Sequence, residues 1–418
     1  MNILLISDLY PLNISLHCVN KDNYYLHDLA TELQNLGHVV DVVKLNSIWK
    51  FFYDRQNFYS NGVYELDKNI IYNINYFIPF FSTPQEKVND DIDINNYDIV
   101  IAHGLNGIFF CEKLIKGKIK PFVSCLHPKD IAIINNIIVG KLLKKKLKNI
   151  LRKSTLIGAR TPSAIKSIKL LFPNCNNKLF LTSNGVDRDL ILSQPLILEK
   201  FIKWKTNKHL NILTINHSDN KCNLDLILRS IEKIDLFNWD LNIIDYANSD
   251  IKYQKLIEEL NLNHKINFFK ETTPEQQKEL LKQADLFILL KNHIDFGTIY
   301  LEALALGCIT ICLKNQGIDG ILIHNYNGYV VNNDEKDLVK LFNRICKVSP
   351  EKLNSLSHNI YKTVIKHTKE NSILNYSNSL YKKIPLLNQI NKNIEHNQKN
   401  RYNQSNHQEL LISTNYKK

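Results

Sequence analysis

The chain has 418 residues, 44% hydrophobic and 22% charged, which excludes wholesale disorder, collagen-like repeats and coiled coil. At about 150 residues per domain, this length suggests two to three domains. The formal charge of +12 invites nucleic acid, phospholipid or a phosphorylated substrate, but excess Asn, Lys and Ile throughout indicates compositional bias, so charge alone decides little. No stretch approaches the roughly 20 apolar residues of a membrane span. The opening Met1-Asn2-Ile3-Leu4-Leu5-Ile6-Ser7-Asp8 lacks the basic region of a secretory signal and reads as a buried strand.

The first half alternates apolar runs with helical spacing. Residues 2–7 read as a strand, 24–36 as a helix stopped by Gly37, and 38–44 as the next strand. Further strands are expected at 98–103 and 121–126, ending at His103 and His127. After Asn184-Gly185-Val186-Asp187 the segment 188–208 contains Pro195 and no clean strand, so it reads as a linker. The alternation then restarts, with strands at 210–215, 239–245, 265–269, 286–290 and 308–313. Helices fall between them at 223–231, 253–261, 274–283 and 299–306.

Strands alternating with helices imply parallel sheets with helices on both faces, and ligands then collect at the strands' carboxyl ends. The expected organisation is α/β, with two doubly wound domains facing each other across a cleft: 1–187, a linker 188–208, and 209–375. The pattern fades after about Leu374, and the Asn-, Gln- and Lys-rich stretch 388–418 reads as a disordered tail.

Eight cysteines, with no C-x-x-C pair and several inside apolar runs, indicate reduced thiols in cytosol. Cys308 and Cys312 read as small hydrophobes on a strand rather than metal ligands. Asp91-Ile92-Asp93 has the form of a metal-binding D-x-D but sits in a polar loop, where surface charge is the simpler account. No helix-turn-helix, zinc finger or aromatic–basic signature supports nucleic-acid binding.

In 284–307 a buried strand ends near Leu290, a loop carries Asp295 and Phe296, and Gly297-Thr298 opens a helix containing Glu302. Free N–H groups at such a helix start suit a diphosphate, and Glu302 is placed to bond sugar hydroxyls. Taken alone, the unit also fits a plain strand–turn–helix, with Asp295 as the helix cap.

The ordered motifs resemble family 4 of the retaining, nucleotide-sugar-dependent glycosyltransferases. They are 97–103 ending in His103, Asn184-Gly185-Val186-Asp187, 290–297 followed by Glu302-Ala303 and Gly307, and Asn327-Gly328. The resemblance implies a GT-B fold and transfer from a nucleoside-diphosphate sugar, the co-substrate, to a glycan, glycolipid or lipid-linked acceptor, with no metal or other cofactor. It points to His103 and Lys221 for catalysis, with Asp295, one residue beyond the missing glutamate, as its substitute, and to Glu302, Phe296, Gly297, Thr298 and Asn216 for substrate binding; His127, at the neighbouring strand end, is a further binding candidate. Ile294 stands where the family has a glutamate and Asn216 where it has an arginine. A guanidinium holds phosphate bidentately and an amide does not, so a catalytically silent homologue serving as scaffold or partner subunit remains the alternative.

Residues 141–153 set Leu142, Leu143, Leu147, Ile150 and Leu151 at helical spacing among lysines. The stripe suits packing on a domain, and the lysines suit an anionic inner membrane face.

Overall fold

The computed structural model describes residues 1–11, 25–47, 62–66, 69–76, 92–118, 120–136, 139–216, 222–234, 236–246, 250–270, 272–291 and 297–384. The tail 388–418 and Asp91 lie outside them.

The first domain is built on eight strands: β1 (Asn2–Ser7), β2 (Val39–Ser47), β3 (Gly62–Leu66), β4 (Asn69–Tyr76), β5 (Ile99–His103), β6 (Phe122–Leu126), β7 (Leu156–Ala159) and β8 (Leu179–Leu181). Their order across the sheet is β3-β4-β2-β1-β5-β6-β7-β8, with every pair parallel except β3–β4. Its helices are α1 (Tyr25–Asn35), α2 (Gly104–Leu114), α3 (Pro128–Asn135), α4 (Val139–Lys153) and α5 (Pro162–Leu171). Side-chain alternation along β1 sends Ile3 and Leu5 to one core, with Leu26, Leu29 and Leu33 of α1. Leu4 and Ile6 face the other, with Ile108 of α2 and Leu147 of α4. The chain leaves β1 first toward β2 and later returns beside it as β5, so β1 and β5 bound a topological switch point. His103 sits there, paired in register with Ser7 and Cys125.

The second domain carries α6 (Gln194–Asn207), β9 (His209–Asn216), α7 (Leu224–Ile231), β10 (Asn238–Asp245), α8 (Asp250–Glu259), β11 (Ile266–Phe269), α9 (Pro274–Gln283), β12 (Leu286–Leu289), α10 (Thr298–Ala305), β13 (Ile309–Leu313), β14 (Tyr329–Val331), α11 (Glu335–Cys346) and α12 (Pro350–Lys366). Its sheet is wholly parallel in the order β11-β10-β9-β12-β13-β14, with its own switch point between β9 and β12. Two doubly wound, parallel-sheet domains are thus present, as the alternating pattern implies.

Two segments depart from the sequence reading. Most of 188–208 is helix α6, whose Ile197, Phe201 and Trp204 are buried in the second domain's core. Pro195 sits in its first turn, where a missing N–H costs nothing. The pattern also does not end near Leu374. A last helix, α13 (Lys369–Lys383), returns to the first domain and buries Ile373, Tyr376, Leu380 and Tyr381 against the α1 side of its sheet.

The two connections between domains run side by side. Val186 N–H donates to His367 O at 2.9 Å, and Lys369 N–H donates to Val186 O at 3.0 Å. A Cβ on Gly185 would stand 2.3 Å from the backbone of Thr368 and Lys369, so only glycine permits this approach.

Candidate active site

A cleft of about 420 Å³ opens between the domains. Its first-domain wall is Tyr25, Asp28 and Glu32 of α1 with residues 183–187. Its second-domain wall is the start of α9 with Thr298 and Glu302 of α10, and Lys369, Ser372 and Ile373 of α13 complete it.

The second-domain wall arises from a strand–helix turn. Gly297 caps α10 in the left-handed region, with φ of 68°, a conformation that favours glycine. The Tyr300 hydroxyl donates to Leu289 O at 2.7 Å and pins the helix start to the end of β12. The first turn of α10, where the Tyr300 N–H already donates to Gly297 O at 3.0 Å, carries the positive end of the helix dipole. Glu302, 4% exposed, lines the cleft one turn further on. Ile294, Asp295 and Phe296 lie outside the described residues.

Asn216 ends β9, and its Nδ2 donates to Asp245 Oδ1 at 3.0 Å. The amide is thereby tied to the neighbouring strand, and Asn216 is absent from the cleft wall among the described residues. Lys221 lies outside them.

Beneath the first-domain wall is a buried polar cluster. His103 Nδ1 and His127 Nε2 are 3.3 Å apart, so one N–H bridges them. His103 Nε2 and His127 Nδ1 have no hydrogen-bond partner among the described residues. Burial pushes both imidazoles well below the usual histidine range. The charges of the other imidazole and Arg160 add to this for His103, and those of Arg160 and Lys129 for His127, so both rings are neutral. Asp130 fixes the two strand-end turns, accepting from His127 N–H at 2.8 Å and Leu105 N–H at 3.2 Å.

His103 does not itself line the cleft. It stacks edge-on against Tyr25, with ring centroids 6.0 Å apart, and Tyr25 forms the wall. On Tyr25's other contact the Arg160 guanidinium lies 4.4 Å from the ring centroid. Burial raises the Tyr25 phenol above its ordinary range, partly opposed by Arg160. Its hydroxyl donates to Thr182 O at 3.1 Å.

Arg160, 1% exposed, also donates through Nη2 to Asn184 Oδ1 at 2.7 Å. Asn184 Nδ2 donates across the cleft to Thr298 Oγ1 at 2.9 Å. The structure thus gathers Thr298 and Glu302 on one wall and sets His103 and His127 behind the other. Sequence reasoning passed over Arg160 and Tyr25, and took Asn184 only as part of a boundary motif. The one available signal for Arg160 was a charge directly after the apolar strand 156–159.

Where the two connections meet the cleft, Lys369 Nζ lies 2.8 Å from Asp187 and 3.4 Å from Asp28. Burial alone would lower its pKa, and the two carboxylates overcome that and raise it.

Among the described residues no group of three or more His, Cys, Asp or Glu is placed to hold a metal ion. Asp93 accepts from Asn95 N–H at 2.9 Å as a helix cap. The described cysteines are free and buried; Cys308 Sγ donates to Leu281 O and Ala284 O, and Cys312 lies on β13. In α4 the residues Leu143, Leu147, Ile150 and Leu151 enter the core, whereas Leu142 is 77% exposed, and Lys141, Lys145 and Lys148 of the same helix are exposed as well. No described helix is long and apolar enough to cross a membrane.

The family model for glycosyl transferases group 1 matches residues 198–363. An uncharacterized glycosyltransferase of Methanocaldococcus jannaschii is 22% identical over 346 residues, covering 78% of this chain and 84% of that one. A GDP-mannose:cellobiosyl-diphosphopolyprenol alpha-mannosyltransferase of Xanthomonas oryzae is 25% identical over 254 residues, 58% of this chain and 62% of that protein. An Anabaena structure containing UDP and glucose superposes with a TM-score of 0.62 at 14% identity, covering 91% of this chain and all of that one. The two-domain architecture, the glycine-capped α10 with its buried Glu302, and these matches agree: the chain has the GT-B fold, its second domain matches the group 1 glycosyltransferases, and it is similar to a divergent, family 4-like member.

Proposed function

We propose that this glycosyltransferase moves a sugar, with retention, from a nucleoside-diphosphate sugar to a glycan, glycolipid or lipid-linked acceptor. The observation that carries the reading is the start of α10, which, capped by Gly297, brings Thr298 and Glu302 to a cleft faced by Tyr25 and Asn184. Transfer builds negative charge on the departing diphosphate. The N–H groups of the helix start are preorganised to meet that charge, and Lys221 adds a cation. Asp295, two residues before Gly297 in the sequence, assists with Phe296, and Glu302 accepts hydrogen bonds from sugar hydroxyls. His103, buried behind the Tyr25 ring with its Nε2 lacking a partner among the described residues, acts on the donor sugar only through that wall, and His127 supports it through the bridging proton. Asn216, its amide tied to Asp245, has no part in this reading. Positioning the acceptor then supplies much of the remaining barrier reduction.

The donor class is supported by the UDP and glucose of the Anabaena structure. The lipid-linked acceptor is supported by the diphosphopolyprenol named for the Xanthomonas enzyme and by the basic outer face of α4, which suits an anionic inner membrane surface in cytoplasm.

The test is thermal-shift screening against UDP, GDP, ADP and their common sugar conjugates without added metal. A ligand at a hundredfold excess over its Kd stabilises the native state by about 2.7 kcal/mol. A clear shift with one nucleotide supports the reading, and no shift with any of them from folded protein overturns it.

A further inference from the structure

We infer that Arg160 is a positioning residue for the donor end of the cleft, acting through Asn184 on the Thr298 hydroxyl at the start of α10. This rests on the donor-site reading above. A guanidinium can only donate, so the 2.7 Å contact from Nη2 forces the oxygen of the Asn184 amide toward Arg160. Its NH2 group must then face the other way, where it meets Thr298 Oγ1 at 2.9 Å. With that oxygen accepting from Asn184, the Thr298 hydroxyl proton is turned away from the first domain. It can then donate from the position where the helix N–H groups also point. An asparagine amide without Arg160 could flip with little penalty, presenting oxygen to Thr298 and drawing its proton back across the cleft.

Two further contacts make the arrangement rigid. Ser372 Oγ donates to Asn184 O at 3.0 Å, which holds the asparagine backbone against α13. The Arg160 guanidinium is itself seated on the Tyr25 ring, 4.4 Å from its centroid, a cation–π contact that fixes the fork's plane. Arg160 does not line the cleft, but it touches both Tyr25 and Asn184, which do. Its effect on substrate therefore passes through those two side chains. Thr298 belongs to the second domain, so the orientation is imposed across the domain boundary and holds only while the domains are closed as described.

The test is a double-mutant cycle on nucleoside-diphosphate affinity, using whichever of UDP, GDP and ADP the unmodified protein holds most tightly. Thr298→Val and Arg160→Met are each expected to weaken binding about tenfold, the effect of one lost hydrogen bond to a charged ligand. The double variant should be no weaker than either single one, because both remove the same donor. Arg160→Lys, which can still donate to Asn184, should recover most of the affinity. Multiplicative losses in the double variant, or no recovery with lysine, would overturn the inference while leaving the donor site standing. Failure of the unmodified protein to bind any of the three nucleotides would remove the donor-site reading and this inference with it. Should Arg160→Met not fold, Arg160→Leu, which also cannot donate to Asn184, completes the same cycle.

Discussion

The side-chain amide of Asn184 donates to the Thr298 hydroxyl at 2.9 Å, so the segment that ends the first domain is bonded to the first turn of a helix in the second. The two partners are 114 residues apart in the chain, and both line the cleft. Any opening motion must break this contact before the cleft can widen at that point. Thr298 is therefore a reporter of closure as well as part of the wall.

Glu302→Gln removes a cleft carboxylate while keeping its shape. Turnover should fall at least hundredfold, which is about 2.7 kcal/mol of transition-state stabilisation, with the melting temperature nearly unchanged. Lys221→Ala should do the same. Steady-state kinetics with the donor found by thermal shift checks both, and activity surviving both would place the donor elsewhere.

Lys369 stands between Asp28 and Asp187. Its removal in Lys369→Met leaves two carboxylates facing each other where the domain connections run together. The predicted loss is about 1 kcal/mol of stability at low salt, read by urea unfolding. The loss should shrink as ionic strength rises, and salt-independent destabilisation would mean that the lysine acts only by packing.

His38 is buried, bonded to the Tyr381 hydroxyl at 2.7 Å, and burial together with the positive N-terminus lowers its pKa to about 4. Between the unfolded value near 6.5 and about 4, the unfolded chain binds more protons, so stability falls as pH drops through that window. His103 and His127, also lowered, act in the same direction. His38→Gln should flatten the decline measured by chemical unfolding between about pH 7.5 and 4.5. An unchanged slope would show that His38 is not among its causes.

The outward face of α4 presents Lys141, Lys145 and Lys148 as well as the exposed Leu142. Co-sedimentation with vesicles containing about one third phosphatidylserine should be lost when the three lysines are changed to glutamate, at roughly 1 kcal/mol per basic residue. Sedimentation of the variant like the parent would exclude this face as the membrane contact.

Strands that end in polar residues were legible in the sequence, because an apolar run stopping at His103 or Asn216 marks both an element and its end. The α10 start was legible through Gly297. Arg160 was hidden, since one arginine between Ala159 and Thr161 reads as a loop charge, and only the packing of Tyr25 and Asn184 around it gives it meaning. Helix α6 was masked by Pro195, a breaker within helices yet acceptable in a first turn. In α13 the buried Ile373, Tyr376, Leu380 and Tyr381 have helical spacing, but the asparagines, serines and lysines between them dilute the pattern. Nothing local indicates that this helix belongs to a domain two hundred residues earlier.

That return has a bearing on how the chain acquires its structure during synthesis. The first domain's α1-side core is incomplete until residues 373–384 arrive, long after β8 ends at Leu181. At about 5–20 residues per second, the ribosome takes roughly 10–40 seconds to span that interval. Through it the apolar surface awaiting Ile373, Tyr376 and Leu380 is exposed, while the second domain can already condense. The half made first is the half finished last, and a chain released before α13 would carry a sound second domain beside an unsealed first.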